Sequence, residues 1–376
     1  MGKMAKEVMQ VASVEALYEA VATARRLRGE QPNLAIDIEL QAGLYRLERS
    51  LELGAQDSGT ASGPLRIRAA DGAEVVFTGS RDLGPSLLGE ISSPDVLNQL
   101  NDKQREHLVE ISMEAAGIPP VEEIEQRGPP PIELFFQGQR LPLSRFPKQD
   151  WLQIEDVPQD GPELLHEGLD REKRYHDVPV GRHYGRFVYP GDRPKAWGFH
   201  NEILAHGYWT WDWSDSVQTV ARIDTAERCV ILAEPHHNYG YTTQQRFAFC
   251  NALEEVDGPG SWCFHRRTGR IYLWPPEGSG EPSADLTVSV LREPLLRVRE
   301  ASHLCIEGIV FCESLGSGVV IEASEDVCVS GCTFTRLGNT AVEVEGTRNR
   351  VNSCDFQDLS LGAIYVDGGD RATITP

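Results

Sequence analysis

The chain's clearest pattern lies in its last third. The segments CIEGIVFCESLGSGVVIEAS, CVSGCTFTRLGNTAVEVEGT and VNSCDFQDLSLGAIYVDGGD align column by column. Phe311, Phe334 and Phe356 recur at intervals of 23 and 22 residues. Ile309, Cys332 and Cys354 keep the same register, as do Val319, Val342 and Ile364, and Ile321, Val344 and Val366. Four columns that share one single-residue deletion predict a stack of structural repeats. A period of this length, with β-branched residues and glycine turns, means a solenoid. The Leu/Asn signature of a leucine-rich repeat is absent. The columns fit a parallel β-helix with Cys, Val, Ile and Phe in interior ladders. Side chains alternate across a strand, so inward Val342 and Val344 predict outward Glu343 and Glu345.

The beginning of the chain follows two other rhythms. Val14, Leu17, Val21, Ala24 and Arg28 fall at helical spacing with Leu27 beside them, predicting a helix over residues 13–28. Ser13 is its N-cap and Gly29 its end. The pattern then switches to period two at Ile36, Ile38 and Leu40, and continues through Leu44, Tyr45, Leu47, Leu51 and Leu53. Gly43 and Gly72 each follow a short β run, 29 residues apart. These are read as opening rungs, with the helix covering their open edge. Residues 84–118 lose this rhythm, and VLNQLNDKQREHLVEI reads as helical. A Pro/Glu-rich linker covers 119–131, and 156–195 reads as a long loop. Short strands are expected in ELFFQG, SVQTVARID, RCVILAEP and RIYLWPP, with Thr268 and Gly269 turning a hairpin. The expected class is mainly β: a right-handed parallel β-helix, or pectate-lyase-like solenoid, with an N-terminal capping helix and a large β-rich insertion. The expected division is 12–84 for cap and first rungs, 85–290 for the insertion, and 291–376 for the remaining rungs.

Charge narrows the partners. With 36 basic and 57 acidic residues the net charge is −21, which disfavours nucleic acid and anionic membranes. The first 20 residues lack the apolar core of a secretory signal, and no run is long enough to span a bilayer, so the chain as written reads as cytoplasmic. All eight cysteines fall in the second half, without C-x-x-C or zinc-like spacing, and are read as free thiols packing as small hydrophobes. No metal site and no cofactor is expected from these spacings.

Two groups of residues carry candidate chemistry. Glu322, Glu345 and Asp367 share one outward column at the rung period. Adjacent strands lie about 4.8 Å apart, so stacked carboxylates should repel and raise at least one pKa. Retaining glycosidases hold two carboxyls about 5–5.5 Å apart, which a rung-to-rung pair approaches. The same acids could splay into solvent, or bind calcium. The second group is aromatic. In HGYWTWDWSD, alternation would place Trp209, Trp211 and Trp213 on one face of a strand; HHNYGYTT adds Tyr239 and Tyr241. Flat rings suit the apolar C–H faces of sugars, and they equally suit a core. Asn251 and Glu254 could reach a site or brace a loop.

The segments AGLYRL, LEL, DSGTASGPLRIRAADGAEVVFTGS, HGYWTWDWSDS, NALEEVDGPGSWCFHRRTGRIYLWPP and LGAIYVDGGDRATITP follow one another in an order that resembles carbohydrate-active right-handed parallel β-helix proteins. The resemblance is closest to glycoside hydrolase family 141, more distantly to family 120, and covers most of the chain from about residue 12. It implies a glycosidase with paired carboxylates on the β-helix face, in a groove beside the insertion, and a carbohydrate as partner. Asp370 in GGDR is the position it carries over; Asp367, Glu345 and Glu343 come from the register. Trp209, Trp211, Trp213, Tyr239, Tyr241, Asn251 and Glu254 are the expected substrate-binding set. Such relatives carry an acid where this chain has His265, are often secreted, and continue for several rungs past Pro376. This chain is therefore read as C-terminally truncated, with an open last rung that invites self-association. Hydrolysis of a polysaccharide side chain or oligosaccharide end is the leading expectation. A non-catalytic glycan-binding module and a polysaccharide lyase or uronate epimerase are the alternatives.

Overall fold

The computed structural model describes residues 6–121, 124–125, 131–159, 181–278 and 285–368. The protein is mainly β and divides into two compact units. One comprises Met1–Asp82, Ile132–Leu134 and Thr287–Pro376; the other comprises Leu83–Pro131 and Phe135–Leu286.

The first unit is β-helix-like. Each full rung contributes one strand to each of three parallel sheets. The first sheet runs Lys6–Val11, Ala35–Leu40, Leu65–Ala69, Leu304–Glu307, Cys328–Ser330 and Arg350–Asn352. The second runs Gly43–Arg46, Val75–Thr78, Ile309–Ser314, Thr333–Leu337 and Asp355–Leu359. The third runs Leu51–Leu53, Leu296–Arg299, Val319–Glu325, Val342–Thr347 and Ile364–Asp367. Leu296–Arg299 pairs directly with Leu51–Leu53, so it completes the rung that Leu65–Ala69 and Val75–Thr78 began. The second unit's sequence is thus inserted within a single rung.

The expected ladders form as read. Phe311 pairs with Phe334 and Phe334 with Phe356; Val319, Val342 and Ile364 pair in turn. The Phe334 ring stacks between its neighbours at 5.0 and 5.2 Å, with interplanar angles of 6° and 7°. The corners also keep the period. Glu313, Arg336 and Asp358 occupy one column and all take positive φ, 47°, 53° and 51°. His303, Asp326 and Arg348 form a second such column. A single left-handed residue bends the chain sharply between strands, at a cost of roughly 1 kcal/mol for a non-glycine residue. Charge helps to offset it: Arg336 Nε meets Glu313 Oε1 at 3.2 Å, and Arg348 Nη2 meets Asp326 Oδ2 at 2.9 Å.

At the N-terminal end a helix spans Val14–Glu30, and Ser13 Oγ accepts the Ala16 N–H as the expected N-cap. Leu17, Ala20, Val21 and Ala24 bury its apolar face. Two expectations need correction. The helix runs through Gly29, ending at a Gln31 cap, because the Gln31 N–H bonds to Leu27 O. Lys6–Val11, not read as a strand, pairs in parallel with Ala35–Leu40 and adds one strand to the first sheet.

The second unit contains an antiparallel sheet in the order Arg145–Phe146, Arg246–Cys250, Leu204–Tyr208, Asp215–Asp224, Cys229–Leu232 and Arg186–Val188, with Leu152–Gln153 also pairing to Arg246–Cys250. Trp262–His265, Arg270–Leu273 and Val109–Ser112 form a smaller one, whose turn carries Gly269 at φ +60°. The expected helical stretch breaks into Pro94–Gln99 and Asp102–His107 before the strand Val109–Ser112. Asn101 caps the second helix reciprocally with Gln104, so the chain restarts there instead of continuing. Part of the 156–195 loop, 160–180, lies outside the described residues, as does most of the 119–131 linker. The rest of that loop contains the strand Arg186–Val188. All eight cysteines are free, and five are buried. Among the described residues no helix is long and apolar enough to cross a membrane.

Candidate active site

The third sheet of the first unit positions the candidate acids. Val342 is fully buried and Val344 packs partly against the core, so the alternation turns Glu343 and Glu345 outward. Glu345 pairs in register with Asp367 on the next strand, and Glu343 with Tyr365. Glu345 and Asp367 are both exposed. Each is followed by a glycine at nearly the same φ, 127° at Gly346 and 129° at Gly368. A Cβ on Gly346 would lie 2.0 Å from Ser324 O, so the backbone here admits only glycine. The two acids therefore stand side by side on adjacent strands, about 4.8 Å apart at the backbone.

Their surroundings differ. The Gly368 N–H donates to Asp367 Oδ1 at 2.8 Å. Glu343 accepts from Ser317 Oγ at 2.5 Å. The Glu345 carboxylate accepts no hydrogen bond from the described residues. Asp370 lies outside the described residues.

The third member of the column departs from expectation. The ladder pairs Ile321 with Val344 but Ser324 with Gly346, so Glu322 and Ala323 together face Glu345. This bulge, with Ala323 at φ 45°, interrupts the acidic column. Glu322 instead lies against Arg299 Nε at 2.7 Å and Arg297 Nη1 at 3.0 Å. The hydrogen bond from Arg299, then the charge of Arg297, hold its carboxyl below the usual range. The rise expected from stacked like charges is absent at Glu322, because arginines reach it first.

The aromatic residues of the second unit separate into core and surface. The strand Leu204–Tyr208 ends before the tryptophans, which occupy the turn into Asp215–Asp224. Alternation therefore does not apply to them. Trp209 is fully buried, its Nε1 donating to Ser216 Oγ at 3.0 Å. Tyr241 is buried against it, its hydroxyl donating to Gln218 Oε1 at 3.0 Å. Asn251 spends its amide on backbone: Nδ2 donates to Glu202 O and Phe264 O, and Oδ1 accepts the Phe264 N–H. These three brace the core and offer nothing to a ligand. Trp211 is half-buried, while Trp213 is 68% exposed and meets Tyr239 edge-on at 5.5 Å. Glu254 accepts the Gly198 N–H at 2.7 Å, and burial raises its carboxyl above the ordinary value.

His265 is buried between Phe199 and Tyr272, at 4.7 and 4.9 Å. Burial pushes its imidazole down to about 4. Two buried acids lie beside this hairpin: Glu202, which accepts the Arg266 N–H at 2.9 Å and pairs with both Arg266 and Arg267, and Glu110, which meets Arg270 Nε at 3.0 Å. Among the described residues no cluster of three or more His, Cys, Asp or Glu is disposed to hold a metal ion.

No family model matches the chain, and no curated protein matches it. A solved structure described as a glycoside hydrolase shares the fold. Its TM-score is 0.64 at 13% identity, covering 96% of this chain and 77% of that one. A second solved structure, described as the complex structure of XylC with xylose, has a TM-score of 0.37 at 9% identity over 87% of this chain and 49% of that chain.

Proposed function

We propose that the protein is a glycoside hydrolase whose reacting pair is Glu345 and Asp367, on a right-handed, pectate-lyase-like solenoid. The observation that carries this reading is the in-register pairing of these two exposed acids on adjacent parallel strands. Their backbone spacing of about 4.8 Å approaches the 5–5.5 Å separation at which one carboxylate attacks the anomeric carbon while the other protonates the leaving oxygen. The shared fold with a protein described as a glycoside hydrolase supports a carbohydrate as the substrate.

The hydrogen bonds suggest the division of labour. The backbone N–H of Gly368 faces Asp367, which suits an oxygen that stays anionic until it bonds to carbon. Glu345, without such a donor, delivers the proton and later takes one from the attacking water. Glu343, two residues earlier on the same strand and tied to Ser317, stands where it can bind a sugar hydroxyl. Asp370 remains a candidate on the resemblance alone. A lyase would need cationic groups to neutralise a uronate, but Arg297 and Arg299 are engaged by Glu322.

The test is turnover on aryl glycosides, fucosides and xylosides first, together with Asp367→Ala and Glu345→Gln. Activity lost in both variants, with azide restoring Asp367→Ala by forming a glycosyl azide, supports the assignment. Full activity in either variant removes that residue from the reaction. No turnover on any substrate by folded protein defeats the reading.

A further inference from the structure

We propose that one surface of the second unit binds a neutral polysaccharide chain, with Trp151, Tyr208, Trp213 and Tyr239 as its stacking rings. This does not rest on the roles given to Glu345 and Asp367.

The surface follows from strand alternation. In Arg246–Cys250, Phe247 and Phe249 enter the core, so Arg246 and Ala248 point to the other face, where Ala248 is covered and Arg246 is half-buried. His206 lies directly across from Ala248, and Tyr208 follows it two residues on. Trp151 packs edge-on against both rings, at 5.5 Å from His206 and 5.7 Å from Tyr208. The Arg246 guanidinium covers Tyr208 at 3.9 Å, and Arg145 covers Trp151 at 4.8 Å. Arg246 is held in turn by Asp212 at 2.7 Å. Asp212 sits in the same turn as Trp213, which meets Tyr239 at 5.5 Å. A series of contacts thus runs from Trp151 through Tyr208, Arg246 and Asp212 to the turn that carries Trp213, whose ring meets Tyr239 of a separate segment.

Two features point to a ligand. Trp213 is the one large hydrophobic side chain of this unit left exposed among the described residues. An indole 68% exposed forgoes much of the roughly 1.5–3 kcal/mol that full burial of a large apolar side chain contributes, and its edge-on contact with Tyr239 recovers only part of it. The rings are also rimmed by hydrogen-bonding groups: Asp212, Asp215, His206, Arg145 and Arg246. Pyranose rings present apolar C–H faces to aromatic planes and hydroxyls to such a rim. The charges decide the class of glycan. Arg246 is paired with Asp212, and His206 Nε2 lies 2.9 Å from Asp215. Apart from Arg145, which donates to the Pro147 and Asp150 carbonyls, the basic groups of this surface face acids, and a chain of net charge −21 repels polyanions. A neutral polysaccharide fits; a polyuronate does not.

The experiment uses the full chain. Mobility is measured in native gels containing arabinoxylan, xyloglucan, mixed-linkage β-glucan or polygalacturonate. A matched oligosaccharide is then titrated by calorimetry. We expect retardation by at least one neutral polysaccharide and none by polygalacturonate. Trp213→Ala should weaken binding by about tenfold or more, with an unchanged melting temperature because the ring is exposed. Trp151→Ala should weaken it similarly. Retardation by polygalacturonate alone, by nothing, or equally in wild type and Trp213→Ala would overturn the proposal.

Discussion

Phe334→Ala is the sharpest test of how the solenoid is held together. Phe334 is fully buried and lies between Phe311 and Phe356, nearly parallel to both. Its edge also fills the space beside Gly318, where an added Cβ would come within 2.6 Å of the ring. Truncating a buried Phe to Ala costs about 3–5 kcal/mol in lost transfer and cavity terms. The two stacked neighbours place this site at the upper end, since each aromatic pair adds about 0.5–1.5 kcal/mol beyond area. We expect about 4–5 kcal/mol. Phe356→Ala supplies the internal comparison: it is only partly buried and stacks on one described neighbour, so about 2 kcal/mol is expected. Because each rung contacts only its neighbours, the loss should spread to the flanking rungs. Hydrogen exchange read by mass spectrometry resolves this, since the two units need not unfold together. At about 1.4 kcal/mol per decade, protection over residues 304–337 should fall roughly a thousandfold in Phe334→Ala and by clearly less in Phe356→Ala. Equal losses in the two, or a loss below tenfold at Phe334, would refute a core built on this ladder.

Other consequences are as direct. The His265 imidazole is held neutral by burial, at about 4 against 6.5 when unfolded. Between those values the unfolded chain binds more protons, so stability rises as pH climbs from 4 to 6.5 and is then flat. The shift sets a ceiling of about 3 kcal/mol on this contribution, and His265→Phe should reduce the slope in denaturant melts across that window. Part of the slope should persist, because burial also lowers His183 to about 4. Glu313 accepts from Ser80 Oγ, Thr287 Oγ1 and Arg336 Nε. Glu313→Ala should cost about 3–5 kcal/mol by thermal unfolding, with Glu313→Gln costing less. Glu322→Gln should leave turnover within about twofold of wild type, because Arg297 and Arg299 already hold that carboxylate away from any reaction.

The register of the solenoid was legible because interior packing enforces it. A one-residue slip would turn Phe334 and Val342 out to solvent, so their columns survive in the sequence as an unbroken period. The same register paired Glu345 with Asp367 correctly. It failed at Glu322, where a bulge inserts one residue, and a bulge leaves the spacing of apolar positions almost untouched. The compensating arginine was nevertheless within reach of the same reasoning. Arg299 pairs with Glu322 one rung earlier in the column, so extending the column backwards would have found the ion pair. Lys6–Val11 escaped because, among the described residues, it pairs with one strand only, so no repeat column runs through it on both sides. In the second unit the tryptophans misled, since alternation holds only within a strand and their segment is a turn. Trp151 gave no local signal at all, because it meets His206, Tyr208 and Arg246 only through tertiary pairing.

The central claim is that Glu345 and Asp367 act together on a glycosidic bond. The most direct measurement is single-turnover kinetics on an activated aryl glycoside with wild type and Asp367→Ala, with and without azide. The account predicts rapid release of the aryl group by wild type and a loss of at least about a thousandfold in Asp367→Ala. It also predicts recovery with azide, together with a glycosyl azide product. Undiminished turnover in Asp367→Ala, or no turnover by folded wild-type protein on any glycoside, would contradict it.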